Sequence, residues 1–194
     1  MKHLKKWIRV IGFDDGPFKH KNAKDTILVG VIVRMKEYLD GILSARIEID
    51  GLDVTEKIIF LVNRPKFKDQ IQIIILNSIA FGGFNLADIK KINLKTGKPV
   101  IAVVRKKPDR EKFIKAASKL PDAEKRLEII ENAGEIKEAE VDGRKLYYQS
   151  AGIDDTDAAV ILRKTRKRSA IPEPVRMAHI IASGIVDGES RGRV

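Results

Sequence analysis

Trp7-Ile8-Arg9-Val10-Ile11-Gly12-Phe13-Asp14-Asp15-Gly16 is an almost continuously apolar run of strand length that stops at two carboxylates and a glycine. Such a run predicts a strand buried on both faces near the middle of a sheet. Two negative side chains where it ends add nothing to a core. They are good oxygen ligands for a hard divalent cation, Mg²⁺ or Mn²⁺.

Working outward, residues 26–34 are rich in branched side chains and read as a second strand. A third is expected over 38–49, where Ala45, Ile47 and Ile49 alternate with Arg46 and Glu48; Asp40-Gly41 interrupts it as a turn or a bulge. No helical spacing separates these strands, so they form an antiparallel meander. The period then changes. Asp53-Val54-Thr55-Glu56 has the pattern of a helix start, and Ile58, Ile59, Leu61 and Val62 follow at helical spacing. Residues 70–76 form a fourth strand, Asn85 is expected to cap a helix over 86–94 that Gly97 stops, and 99–104 form a fifth, buried strand. A charged amphipathic stretch over 108–119, a helix over 123–131, a hairpin turning at Asp142-Gly143, and helices over 157–165 and 173–186 complete the chain. There is no internal repeat, low-complexity tract or linker, so residues 1–194 read as a single domain.

This order resembles the ribonuclease H-like fold: an α/β mixed sheet of three antiparallel strands and then parallel strands with flanking helices, here with an added C-terminal hairpin and helices. In that fold the first, fourth and fifth strands are parallel and central. Their carboxyl ends share one edge, where open α/β sheets bind ligands. The edge collects Asp14, Asp15, Asn77, Ser78 and the cations Arg105, Lys106 and Lys107.

Composition points to an anionic partner. There are 38 Lys and Arg against 27 Asp and Glu, a net charge of +11, which suits nucleic acid, an anionic membrane surface or another polyanion; a lysine-rich soluble surface gives the same balance. The absence of cysteine excludes disulfides, thiolate metal sites and a cysteine nucleophile. No apolar run approaches the ~20 residues of a membrane span, and a cytoplasmic protein is expected.

Four separated motifs carry a family resemblance: Gly12-Phe13-Asp14-Asp15-Gly16; Ala80-Phe81-Gly82-Gly83-Phe84-Asn85; Pro99-Val100-Ile101-Ala102-Val103 with Arg105-Lys106-Lys107-Pro108-Asp109; and Pro172-Glu173-Pro174-Val175-Arg176-Met177-Ala178-His179. In this order they resemble the archaeal endonuclease dU family, which is distantly similar to endonuclease V. Endonuclease V enzymes bind Mg²⁺ through an aspartate at the end of the first strand, a glutamate, and an aspartate at the end of the fourth strand, and hydrolyse a phosphodiester near a deaminated base. The resemblance assigns the first role to Asp14, with Asp15 beside it. It leaves the neutral Asn77 or Ser78 in the fourth-strand position, and Glu56 is the nearest topological match to the glutamate. It implies catalysis by Asp14, Asp15, Glu56 and Asn77 on a nucleic-acid substrate. A non-catalytic nucleic-acid-binding module on the same fold, or a basic scaffold that meets an acidic protein, are the competing readings.

Further residues enter as candidates. Asp154 and Asp155, in Gly152-Ile153-Asp154-Asp155-Thr156-Asp157, supply either a helix cap or another cation ligand folded over the first site. Gly82 and Gly83 allow a strand of nucleic acid close approach, with Phe81 or Phe84 stacking on a base, or they make a turn beside two core phenylalanines; Asn85 belongs to the same substrate-facing loop. Arg163, Arg166 and Arg168, in a run of five cations within six residues, are candidate phosphate contacts. His179 is either a ligand or acid, or a packed helical histidine, and His3 and His20 carry little information.

Overall fold

The computed structural model describes residues 8–18, 23–141 and 143–190; Trp7, His3, His20 and Asp142 lie outside the described residues. In chain order the strands are β1 (Arg9–Asp15), β2 (Asp25–Arg34), β3 (Tyr38–Glu48), β4 (Ile71–Asn77), β5 (Ala80–Phe81), β6 (Asn85–Leu86), β7 (Val100–Val104), β8 (Lys137–Val141) and β9 (Arg144–Ala151). The helices are α1 (Val54–Val62), α2 (Ile89–Thr96), α3 (Arg110–Ala117), α4 (Ala123–Asn132), α5 (Asp155–Thr165) and α6 (Glu173–Asp187).

Seven strands form one mixed sheet in the order β3-β2-β1-β4-β7-β9-β8, and β5 and β6 form a separate ribbon. The first three strands are the expected antiparallel meander, and β1, β4 and β7 run parallel in the middle. The interruption at Asp40-Gly41 is a bulge, since the β2–β3 register shifts between Ile32 and Val33. The 137–151 hairpin extends the main sheet, with β9 antiparallel to β7.

Alternation along β1 divides the core. Ile11 and Phe13 join Leu28, Ile58, Leu61 and Leu76 on the α1 and α2 side, while Ile8 and Val10 join Ile73, Ile101, Ile161 and Val175 on the α5 and α6 side. Helix α6 lies directly on β1: a Cβ on Gly12 would stand 2.4 Å from the carbonyl carbon of Pro174 and from the nitrogen of Val175. Only glycine admits that approach, so the first sequence motif seats the last helix. Among the described residues no helix is long and apolar enough to cross a membrane.

The 86–94 prediction fails at its start. Asp88 caps α2 by accepting from the Lys91 N–H at 2.9 Å, whereas Asn85 belongs to the β5–β6 ribbon. Asn85 does serve a helix start, but that of α1: its Oδ1 accepts from the Val54 N–H at 3.1 Å, 31 residues away. Its amide donates to the Glu48 carbonyl and to Asp53, which consumes the carboxylate expected to cap α1 locally.

Candidate functional site at the carboxyl edge of the sheet

The parallel register brings Phe13 beside Leu76 and Asn77 beside Val103, so β1, β4 and β7 end along one edge. Asp14, 3% exposed, points to the α6 face. Its Oδ1 accepts from Asn77 Nδ2 at 2.9 Å and its Oδ2 meets His179 Nδ1 at 2.8 Å. The carboxylate is held from two elements in a place with little water. Hydrogen bonding to Asp14 raises the His179 pKa above the usual histidine value, against burial and the nearby charge of Arg105.

Asp15 points to the opposite face, as strand alternation requires, where its Oδ2 accepts from the Gly82 N–H at 3.0 Å. Burial first, and the Asp14 charge second, push its pKa up to about 7; the Gly82 bond offsets only part of this. The edge therefore carries one anchored carboxylate and a second whose charge lacks compensation near neutral pH. A buried acid in that state marks a place where positive charge is favoured.

The Gly82-Gly83 turn, whose first N–H meets Asp15, packs on Asp50 on its other side. Both glycines have left-handed backbones, and a Cβ on Gly83 would stand 2.4 Å from Asp50 Oδ1. Arg126, almost fully buried, holds the surroundings by donating to the carbonyls of Pro121, Gly51, Phe84 and Asp50. Phe81 is buried and Phe84 stacks on Phe113 at 5.1 Å, so both serve packing rather than base stacking. Asn85 is likewise committed to the interior and offers nothing to a substrate. Ser78, beside Asn77, has a left-handed backbone with φ of 78°, and its hydroxyl accepts from the Ala80 N–H at 3.1 Å. A non-glycine residue held there is the kind of local strain found at functional loops.

Several expected partners do not arrive. Glu56 is exposed on α1 and paired with Lys91 at 2.5 Å, the ordinary fate of a first-turn acid. Asp154 caps α5 by accepting from the Asp157 N–H, and Asp155 pairs with Lys137 at 2.5 Å. Both follow Ala151, which lies opposite Val100 at the amino end of β7, so they stand toward the other edge of the sheet from Asp14. The composite cation site is thereby corrected. Among the described residues no three His, Asp or Glu side chains converge. Arg105, Lys106 and Lys107 follow β7 at the same edge as Asp14 and are exposed, with Lys107 near enough to lower the pKa of Glu138. Arg163 and Arg168 are exposed at the end of α5, while Arg166 donates to the Ser169 carbonyl.

His179 is the partner that local reading left open. Glu173, 3% exposed, holds Arg176 one turn before it. The spacing of three between Glu173, Arg176 and His179 was the available signal, since it sets them along one side of a helix.

The family model for endonuclease dU matches residues 6–186. The UPF0215 protein of Methanothermobacter thermautotrophicus is 45% identical over 192 residues, covering 98% of this chain and 94% of that one. A crystal structure from Archaeoglobus fulgidus superposes with a TM-score of 0.84 at 38% identity, covering 92% of this chain and 98% of that chain. Endonuclease V of Ciona intestinalis, solved with a 23mer DNA containing an inosine followed by a ribo-adenosine, superposes with a TM-score of 0.58 at 15% identity, covering 90% and 83%.

Proposed function

The chain belongs to the endonuclease dU family, and from that premise we propose that it is a divalent-metal-dependent nucleic-acid endonuclease of ribonuclease H-like architecture, acting at a deaminated or otherwise unusual base. The observation that carries this reading is Asp14, buried and gripped between Asn77 and His179 at an edge that also holds Asp15 and Arg105.

The donors suit Mg²⁺ or Mn²⁺ in its least demanding form. Such an ion keeps several waters and needs only one or two carboxylates besides substrate phosphate oxygens. Asp14 supplies one such carboxylate, and the unfavourable burial of the Asp15 charge on the opposite face of the strand end adds to the negative potential that favours a cation. When bound, the ion supplies a more acidic water and charge stabilisation at the phosphoryl oxygen. Asn77 fixes the plane of the Asp14 carboxylate. As an imidazolium, which its raised pKa favours, His179 donates its Nδ1 proton to Asp14 and keeps the Nε2 proton for the leaving oxygen. Arg105, Lys106 and Lys107 orient the phosphates.

A cavity of about 60 Å³ on the α3 side of the same edge is lined by Ser78, Val104, Arg110, Phe113, Tyr147 and Gln149. It is smaller than the roughly 300 Å³ of a pocket that buries a small-molecule ligand, so the preference for an unusual base rests on the resemblance to endonuclease V. The test is cleavage of labelled single- and double-stranded DNA and RNA, with and without uracil or hypoxanthine, in Mg²⁺ or Mn²⁺. Cutting that Asp14→Ala abolishes supports the reading, and cutting that survives it sinks the assignment.

Asn77 favours a second reading. It donates to Asp14 where endonuclease V resemblance expects a second carboxylate, so the edge has one charge fewer for a metal. A non-catalytic nucleic-acid-binding module of this kind binds in chelator, weakens steeply with salt and cuts nothing.

A further inference from the structure

The two most exposed large apolar side chains among the described residues, Leu94 at 79% and Phe60 at 61%, stand on neighbouring helices. Phe60 is on α1 and Leu94 on α2, and the ends of these helices are tied where Asn63 Nδ2 donates to the Lys95 carbonyl at 3.3 Å. The Arg64 guanidinium lies over the Phe60 ring, 5.2 Å from its centroid. Residues 54–98 hold eight Lys or Arg against three acids, and of those acids Glu56 is neutralised by Lys91 while Asp88 caps α2. Among the described residues Lys57, Lys90 and Lys95 enter no ion pair. Exposed apolar groups set among unneutralised cations are costly to leave in water and mark a contact surface.

We propose that the outer face of α1 and α2, centred on Phe60, Arg64 and Lys95, is a second nucleic-acid contact surface that takes a single-stranded segment away from the acids of the carboxyl edge. Helix α1 leads toward the amino end of β4 and α2 toward the amino end of β7, so this face extends to the edge opposite Asp14. Charge chooses a polyanion, and the ring chooses bases over a bare anionic surface. A ring with a stacked guanidinium offers the platform on which unpaired bases stack without regard to sequence, and the lysines track the phosphates. The inference rests on the nucleic-acid partner proposed above, but on none of the residues of that site.

The experiment measures binding of the full chain, carrying Asp14→Asn to prevent cutting, to a labelled 20-nucleotide oligothymidylate by anisotropy over a range of salt. Phe60→Ala is expected to weaken binding at least five-fold, by loss of one stacking contact. The double variant Arg64→Gln/Lys95→Gln is expected to lower the salt slope by about 1.4, or about 0.7 for each lost phosphate contact on a single strand. Phe60 is exposed, so the fold should be retained, and an unchanged melting curve verifies this. In the Asp14-containing protein, cleavage of a six-nucleotide substrate should be unaffected by Phe60→Ala. Oligonucleotide binding that neither variant changes overturns the proposal, even where Asp14→Ala shows the nuclease reading to be right. If the protein cuts nothing, the binding curves still decide. Variants that lose phosphatidylserine vesicles or a polyglutamate peptide but not the oligonucleotide assign the face to a different partner and also overturn it.

Discussion

Gly12-Phe13-Asp14-Asp15 and Gly152-Ile153-Asp154-Asp155 are nearly the same local sequence, and the fold puts them to opposite uses. The first pair ends a central strand, is largely buried, and faces an amide, an imidazole and a backbone N–H from distant parts of the chain. The second lies at the exposed start of a helix, where Asp154 caps and Asp155 takes a lysine partner. Two aspartates at a helix start find backbone N–H groups, a favourable dipole and water. At a strand end inside the protein they find only what tertiary structure brings. The difference lies in solvation rather than in residue type.

The comparison breaks most visibly in activity. Asp14→Ala is expected to reduce cleavage at least 100-fold, and Asp154→Ala to leave it within two-fold, measured on the same oligonucleotide. Equal losses would erase the distinction between the pairs. Stability provides the next contrast. The folded-state pKa of Asp15 is about 7 against 3.8 for the ordinary group, so the folded protein binds the extra proton between those values and stability falls as pH rises through that window. Asp15→Asn removes the burden and is expected to stabilise the protein by roughly 3–4 kcal/mol at pH 8 and by almost nothing at pH 3, read from urea unfolding. His179 has the opposite origin but adds to the same trend. Its pKa is raised by Asp14, so its contribution is full below the unfolded histidine value and is lost as pH rises through the folded one.

Gly12→Ala sharpens the role of α6. The added methyl meets backbone rather than a flexible side-chain end, so a cost of about 1–3 kcal/mol is expected together with loss of the His179 contact to Asp14. Melting would report the first and histidine NMR shifts the second. Asp154→Ala should cost about 1 kcal/mol through the lost cap. Asp155→Asn, which breaks an exposed pair, should cost at most about 0.5 kcal/mol in the same unfolding assay.

Much of this architecture is legible in the sequence. Apolar continuity identified β1 as central, and the change of period after the third strand located α1. The Asp-Asp end of β1 stands out in the sequence, and alternation along a strand implies that Asp14 and Asp15 point to opposite faces. Three acids within four residues at the start of α5 exceed what one cap needs, yet a cap and a lysine partner account for Asp154 and Asp155. Capping rules are local, so they assign Asn85 to the helix that follows it. It caps α1 instead, across a ribbon closed by Gly82 and Gly83.

The sequence by itself determined the period of most main elements, the buried central character of β1, the excess of positive charge and the presence of two carboxylates at the end of β1. Only tertiary structure decided which groups meet them: Asn77, 63 residues away, and His179, 165 residues away. Hydrophobic period is a property of neighbouring residues and is written along the chain. A hydrogen bond between distant side chains is not, because it exists only after the strands have paired, Gly12 has admitted α6, and water has been removed from between the partners.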